Sequence, residues 1–157
     1  MMVTKIAVIG TVGVPANYGG FETLVENIIK QNSLDDIQYS VYCSSCAYKD
    51  KRWVYKGAKV VYIPLKANGI QSILYDIVSI CHAIFKADVL LVLGVSGCII
   101  LPLIRLFSRK NIIVNIDGLE HRRAKWSNYV RKFLKFSESL AVKYATHIIT
   151  DNKGIQD

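Results

Sequence analysis

Ile6-Ala7-Val8-Ile9 is an apolar run with no polar alternation, closed by Gly10. A strand that is apolar at every position has to be covered on both faces, so it belongs in a sheet with a layer above and a layer below. Shortly after it comes Gly19-Gly20-Phe21-Glu22-Thr23, where the period changes. Phe21, Leu24, Val25, Ile28 and Ile29 recur at three- and four-residue intervals, with Glu22 and Glu26 on the polar side, as in an amphipathic helix over 20–31. A helix that opens at a glycine pair offers unpaired backbone N–H groups and the positive end of its dipole, with no Cβ in the way. That is a place for a phosphate or a carboxylate.

The alternation continues along the chain. Strand patterns cover 5–10, 37–43, 58–63, 89–93, 111–116 and 147–150, and helix patterns cover 70–85, 98–107 and 127–144, with Ser127 placed as an N-cap. Residues 44–56 form a polar, basic loop with a short extended piece at Trp53-Val54-Tyr55. Cys81 and His82 fall inside the apolar period of 70–85 and read as core or interface positions. This order implies an α/β, Rossmann-like three-layer αβα domain with a mostly parallel sheet. Residues 1–157 read as one domain without internal repeat or linker, and Asp151-Asn152-Lys153-Gly154-Ile155 reads as the opening of a further helix. The chain therefore reads as one half of a larger protein.

Composition narrows the classes. A hydrophobic fraction of 52% excludes a disordered chain. A net charge of +8 favours anionic partners. Tyr48, Arg52, Trp53 and Tyr55 interleave aromatics with a cation, but one short loop is thin support for a nucleic-acid surface, and no nucleic acid is expected. The amino terminus lacks a basic stretch followed by an apolar one, so no secretory signal is expected. The apolar stretch 89–104 is shorter than the about 20 residues of a bilayer span, and Gly94, Ser96, Gly97 and Pro102 interrupt it. Cys43 and Cys46 form a C-x-x-C with no second pair at zinc spacing, so reduced thiols in the cytoplasm are expected and no metal. The glycines after the first strand do not match G-x-G-x-x-G, and the second strand ends in Cys43-Ser44-Ser45 rather than an acid, which argues against a nicotinamide or flavin cofactor. Neither a phosphate-binding G-x-x-x-x-G-K-[ST] loop nor a G-x-S-x-G elbow is present.

In a sheet of this kind ligands collect at the carboxyl ends of the strands. Three loops lie there: 11–18 leading to Gly19 and Gly20, 94–97, and 117–126. Asp117 ends a strand at that rim, as a working carboxylate or as a turn residue before Gly118. Glu120 can pair with Arg122 or Arg123. Between His121 and Lys135 stand six cations and no acid: Arg122, Arg123, Lys125, Arg131, Lys132 and Lys135. The first three lie in the rim loop, where guanidinium forks suit phosphate oxygens. The last three lie on a helix, as a solvated face or a binding one.

Two stretches, Gly10-Thr11-Val12-Gly13-Val14-Pro15-Ala16-Asn17-Tyr18-Gly19-Gly20-Phe21-Glu22-Thr23 and Asn115-Ile116-Asp117-Gly118-Leu119-Glu120 with Arg123-Ala124-Lys125-Trp126, carry a resemblance. In them the chain resembles the amino-terminal domain of bacterial family 4 glycosyltransferases, in particular rhamnosyltransferases of capsule and cell-wall polysaccharide assembly. The resemblance implies the amino-terminal, acceptor-side half of a GT-B enzyme, whose carboxy-terminal nucleotide-sugar domain is absent from this chain. It implies a retaining transfer from a nucleotide-sugar donor, with dTDP-rhamnose as one such donor, to a lipid-linked saccharide acceptor, without metal or other cofactor. Gly19 and Gly20 would face the donor diphosphate. Asp117 would act as the catalytic group beside the acceptor hydroxyl, and Glu120, Arg122, Arg123 and Lys125 would bind the acceptor. His121 stands where relatives carry an aromatic residue. Such an enzyme would work in the cytoplasm, with attachment to the inner face of an anionic membrane as one option, and the helix over 98–107 reads either as an interfacial helix or as an ordinary buried helix capped by cations. The alternative left open is a non-catalytic domain that binds a sugar or nucleotide.

Overall fold

A computed structural model describes residues 2–17, 19–118 and 120–150, with Glu120 by its backbone alone. Its strands are β1 (Thr4–Ile9), β2 (Ile37–Ser44), β3 (Val54–Tyr55), β4 (Ala58–Ile63), β5 (Val89–Leu93), β6 (Asn111–Ile116) and β7 (His147–Thr150). Its helices are α1 (Gly20–Gln31), α2 (Gln71–Lys86), α3 (Leu101–Phe107) and α4 (Asn128–Tyr144). Short 3-10 turns occupy Cys98–Ile100 and Glu120–Arg122. The expected α/β architecture with a mostly parallel sheet is what the chain adopts. The extended piece at Val54-Tyr55 pairs antiparallel with β4 and forms one edge. The helix expected over 98–107 begins as a 3-10 turn and becomes α-helical at Leu101, with Pro102 tolerated in its first turn. The helix expected to open at Asp151 lies outside the described residues.

The sheet runs β3-β4-β2-β1-β5-β6-β7. Consecutive residues of β1 serve opposite layers, as its unbroken apolar run requires. Ala7 and Ile9 join the core under α2, α3 and α4, with Leu90, Val92, Ile112 and Val114. Val8 joins the core under α1, with Val25, Ile29, Val41 and Val60. From β1 the chain first moves outward through β2 and β4, then crosses back to β5 on the other side of β1. The strand order therefore reverses between β1 and β5. The loops after these two strands leave in opposite directions, and a crevice opens between them at their carboxyl ends.

The helical faces differ from expectation in three places. Glu22 was placed on the polar side of α1, yet it is only 3% exposed, because the preceding loop folds over it. On α2 the buried face carries Tyr75, Asp76, Ser79, Ile80 and Ala83, while Leu74 and Phe85 are exposed. His82 is also exposed rather than core, with its Nδ1 2.7 Å from the Tyr42 hydroxyl. Ser127 caps α4 as expected, accepting from the Val130 N–H at 3.4 Å.

Candidate functional site

The crevice at the reversal point is a cavity of about 600 Å³, open to solvent on the rim side. The loop after β1 and the start of α1 supply Gly10, Thr11, Asn17, Gly19, Gly20 and Glu22 to its wall. The loop after β5 supplies Gly94, Val95 and Ser96, the β4–α2 connection Asn68 and Gly69, and α2 Ser72 and Asp76. The loop after β6 adds Asp117, Gly118, Arg123, Lys125 and Trp126. Gly19, Gly20, Asp117, Arg123 and Lys125, named from sequence alone, thus share one cavity. Arg122 is exposed and is not part of that wall. The Glu120 side chain lies outside the described residues.

The glycine loop is held from several sides. Val14 N–H donates to Cys43 Sγ (3.4 Å), Ala16 N–H to Glu26 Oε2 (3.1 Å) and Asn17 N–H to Glu22 Oε2 (2.9 Å), while the Tyr48 hydroxyl donates to the Pro15 carbonyl (2.9 Å). Gly19 caps α1 with no side-chain hydrogen bond, and space above Gly20 is empty to 4 Å. The end of α1 that faces the cavity thus combines an uncapped glycine pair, which leaves room for an anion at the backbone, with the Glu22 carboxylate in its first turn.

Glu26 clamps this loop to the β3–β4 hairpin. Its Oε1 accepts from the Tyr55 hydroxyl at 2.5 Å and from Lys56 Nζ at 2.6 Å. The Lys56 ammonium and the Tyr55 hydroxyl hold the carboxyl well down, to about 2. A carboxyl depressed in the folded state stabilises the fold above its ordinary pKa. That contribution disappears as pH falls from about 4.5 to about 2. Glu26→Gln is accordingly expected to lower stability by about 1 kcal/mol at neutral pH, after allowing for solvent screening. The difference from wild type should vanish near pH 2 in urea denaturation followed across pH. A constant gap down to that pH would mean that Glu26 is not held by charge.

On the opposite wall, Lys125 Nζ lies 4.7 Å over the Trp126 ring, which places a cation on an aromatic face beside Arg123. His121 turns away to α4, with Nδ1 3.0 Å from Glu138 Oε2. That contact fastens the Glu120–Arg122 turn to the helix behind it. Ser137 of α4 donates to the Val95 carbonyl at 2.5 Å and fixes the β5 loop from the same side. Of the helical cations, Lys132 and Lys135 are exposed and Arg131 is half-buried.

The wall contributed by the β4–α2 connection and α2 was not anticipated, and its Asp76 meets Ser96 of the expected rim loop 94–97. Asp76 is 6% exposed and accepts a short hydrogen bond from the Ser96 hydroxyl. Burial raises its carboxyl from 3.8 to about 7, and the Ser96 bond partly opposes that rise. The available signal was an acid in the middle of an otherwise apolar helical period. Among the described residues no group of three or more His, Cys, Asp and Glu is placed to hold a metal ion. No helix among them is long and apolar enough to cross a membrane.

The chain is a Rossmann-like α/β domain with a cavity at the strand reversal, where sheets of this kind take their ligands. The chain belongs to the family described as Domain of unknown function (DUF1972), whose model matches residues 3–157. Among solved structures it is similar to a sucrose-phosphate synthase from Thermosynechococcus elongatus, with a TM-score of 0.61 over 94% of this chain at 10% identity. The match takes in 47% of that protein, so this chain spans about half the length of the relative. No curated protein matches it in sequence.

Proposed function

We propose that this chain is the acceptor-side half of a GT-B glycosyltransferase, in which a second Rossmann-like half closes over the crevice and carries the nucleotide-sugar. One observation supports this most directly. The glycine-capped amino end of α1 at Gly19-Gly20, the carboxylate of Asp117 and the cations Arg123 and Lys125 all line one cavity at the strand reversal, with Glu22 of the first turn of α1 beside them. The likeness in fold to half of a synthase that bears a sugar-phosphate name agrees with it.

In this reading the N–H groups at the start of α1 donate to the departing diphosphate and offset its charge. Asp117 accepts a hydrogen bond from the attacking acceptor hydroxyl and orients it. Arg123 and Lys125 take a phosphate of the acceptor, which fits a lipid-linked saccharide. The acceptor oxygen bonds to the anomeric carbon as the bond to the diphosphate breaks, and the hydroxyl proton leaves with the diphosphate or to Asp117. Retention of configuration and a rhamnosyl donor such as dTDP-rhamnose complete the proposal. So does attachment to an anionic membrane, for which α3 offers exposed Leu103, Leu106 and Phe107 with Arg109 just beyond.

The whole gene product, assayed against a panel of nucleotide-sugars with lipid-linked saccharides, is expected to consume at least one donor. The 157-residue chain alone is expected to consume none. Failure of the whole protein with every donor, or turnover by the isolated chain, would sink the proposal.

A further inference from the structure

Asp76 is a carboxyl group in a setting that disfavours its charge. It is 6% exposed, on the buried face of α2, and burial is the main influence on its ionisation. The Ser96 hydroxyl is the single described group that counters that burial. Ser96 on the β5 loop touches it, and the titratable groups whose charge it influences are Tyr75 on its own helix and Cys98 on the 3-10 turn. Burial keeps the Tyr75 and Cys98 side chains protonated. Glu22, Asp117, Arg123 and Lys125 share the cavity with it.

The backbone has been brought unusually close to hold this arrangement. A Cβ on Gly97 would stand 2.7 Å from the Asp76 Cβ and 3.1 Å from its carbonyl carbon, so only glycine lets the loop lie this near the helix. A second polar group waits in the same wall: Thr11 is 2% exposed and its Oγ1 has no hydrogen-bond partner among the described residues. An asparagine or a leucine would fill the Asp76 position at less expense to the fold. Acids kept in such places collect at binding and catalytic sites.

Resting on the glycosyl-transfer reading above, we propose that Asp76 and Ser96 form the floor of the sugar subsite and hydrogen-bond a hydroxyl of a neutral sugar. A sugar hydroxyl both donates and accepts. It can give its proton to the Asp76 carboxylate while the Ser96 hydroxyl, whose one proton is donated to Asp76 here, either turns to donate to the sugar oxygen or keeps Asp76 in place. A phosphate would meet a like charge at Asp76. An amine would have to enter a cavity that already holds Arg123 and Lys125. The hydroxyl favours the ionised carboxylate, so binding lowers the pH at which Asp76 titrates, and affinity rises with pH through about 7.

The test follows the Asp76 carboxyl carbon by NMR in the 157-residue chain while D-glucose, L-rhamnose, D-glucosamine or inorganic pyrophosphate is added. A neutral sugar is expected to shift the Asp76 signal and lower its titration midpoint. Asp76→Asn should weaken that sugar's binding about tenfold and remove its dependence on pH. Ser96→Ala, which leaves the helix intact, should weaken it as well. Wild-type affinity for the sugar in both variants overturns the proposal, and so does tighter binding of glucosamine than of glucose. If pyrophosphate moves the Gly19 and Gly20 amides while no neutral sugar moves Asp76, the sugar floor is refuted and the nucleotide-sugar reading stands. If neither ligand moves anything, both fall together.

Discussion

Replacing Gly10 by alanine is expected to destabilise the chain by at least about 3 kcal/mol, enough to leave a marginal domain largely unfolded. An alanine Cβ there would stand 2.0 Å from the Leu93 carbonyl oxygen and 2.9 Å from its carbon, in a backbone with φ +96°. Leu93 ends β5, which pairs with β1 from Ile6 to Ile9. The clash cannot be relieved without breaking the central ladder of the sheet. Gly20→Ala is the contrast. Nothing stands within 4 Å of its Cβ, and it begins a helix, so alanine should be neutral or stabilise by about 0.5 kcal/mol. Thermal and urea unfolding of the two variants side by side gives the answer. A Gly10→Ala chain that melts with wild type would show that β1 and β5 are not paired as described.

The second large effect is on chemistry. On the glycosyl-transfer proposal, Asp117→Ala in the whole protein is expected to reduce transfer about 10²- to 10⁴-fold, chiefly in kcat, with the fold unchanged because the residue is exposed at the rim. Asp117→Asn separates the two roles open to the carboxylate. The amide keeps an acceptor oxygen without the basicity. Near-wild-type rates in Asn assign orientation, and rates as low as those of Ala assign proton transfer. An unimpaired Asp117→Ala enzyme would remove this residue from the mechanism.

The strands were legible because their signal is local. Val89–Leu93 is an unbroken apolar run, Asn111–Ile116 and His147–Thr150 carry Ile112-Ile113-Val114 and Ile148-Ile149 between polar residues, and the sheet uses those bounds. The cavity was partly legible for the same reason: glycines, an acid after a strand and clustered cations are visible without knowing who their neighbours are. Glu22 and Asp76 were not, because a helical period of 3.6 marks the apolar stripe and says nothing about a polar residue covered by a loop outside the helix. Glu22 is buried by the Asn17 backbone, and Asp76 is held by Ser96, twenty residues away. His82, read as core or interface, is not core, by the converse effect. It lies among apolar neighbours in sequence, yet the helix turns it outward.

The four anchors along Val14 to Asn17 bear on how a ligand would meet this surface. A recess that is already curved before anything enters it asks little reorganisation of an incoming anion. Selection there rests on fit and charge from the first encounter, rather than on the freezing of a slack segment.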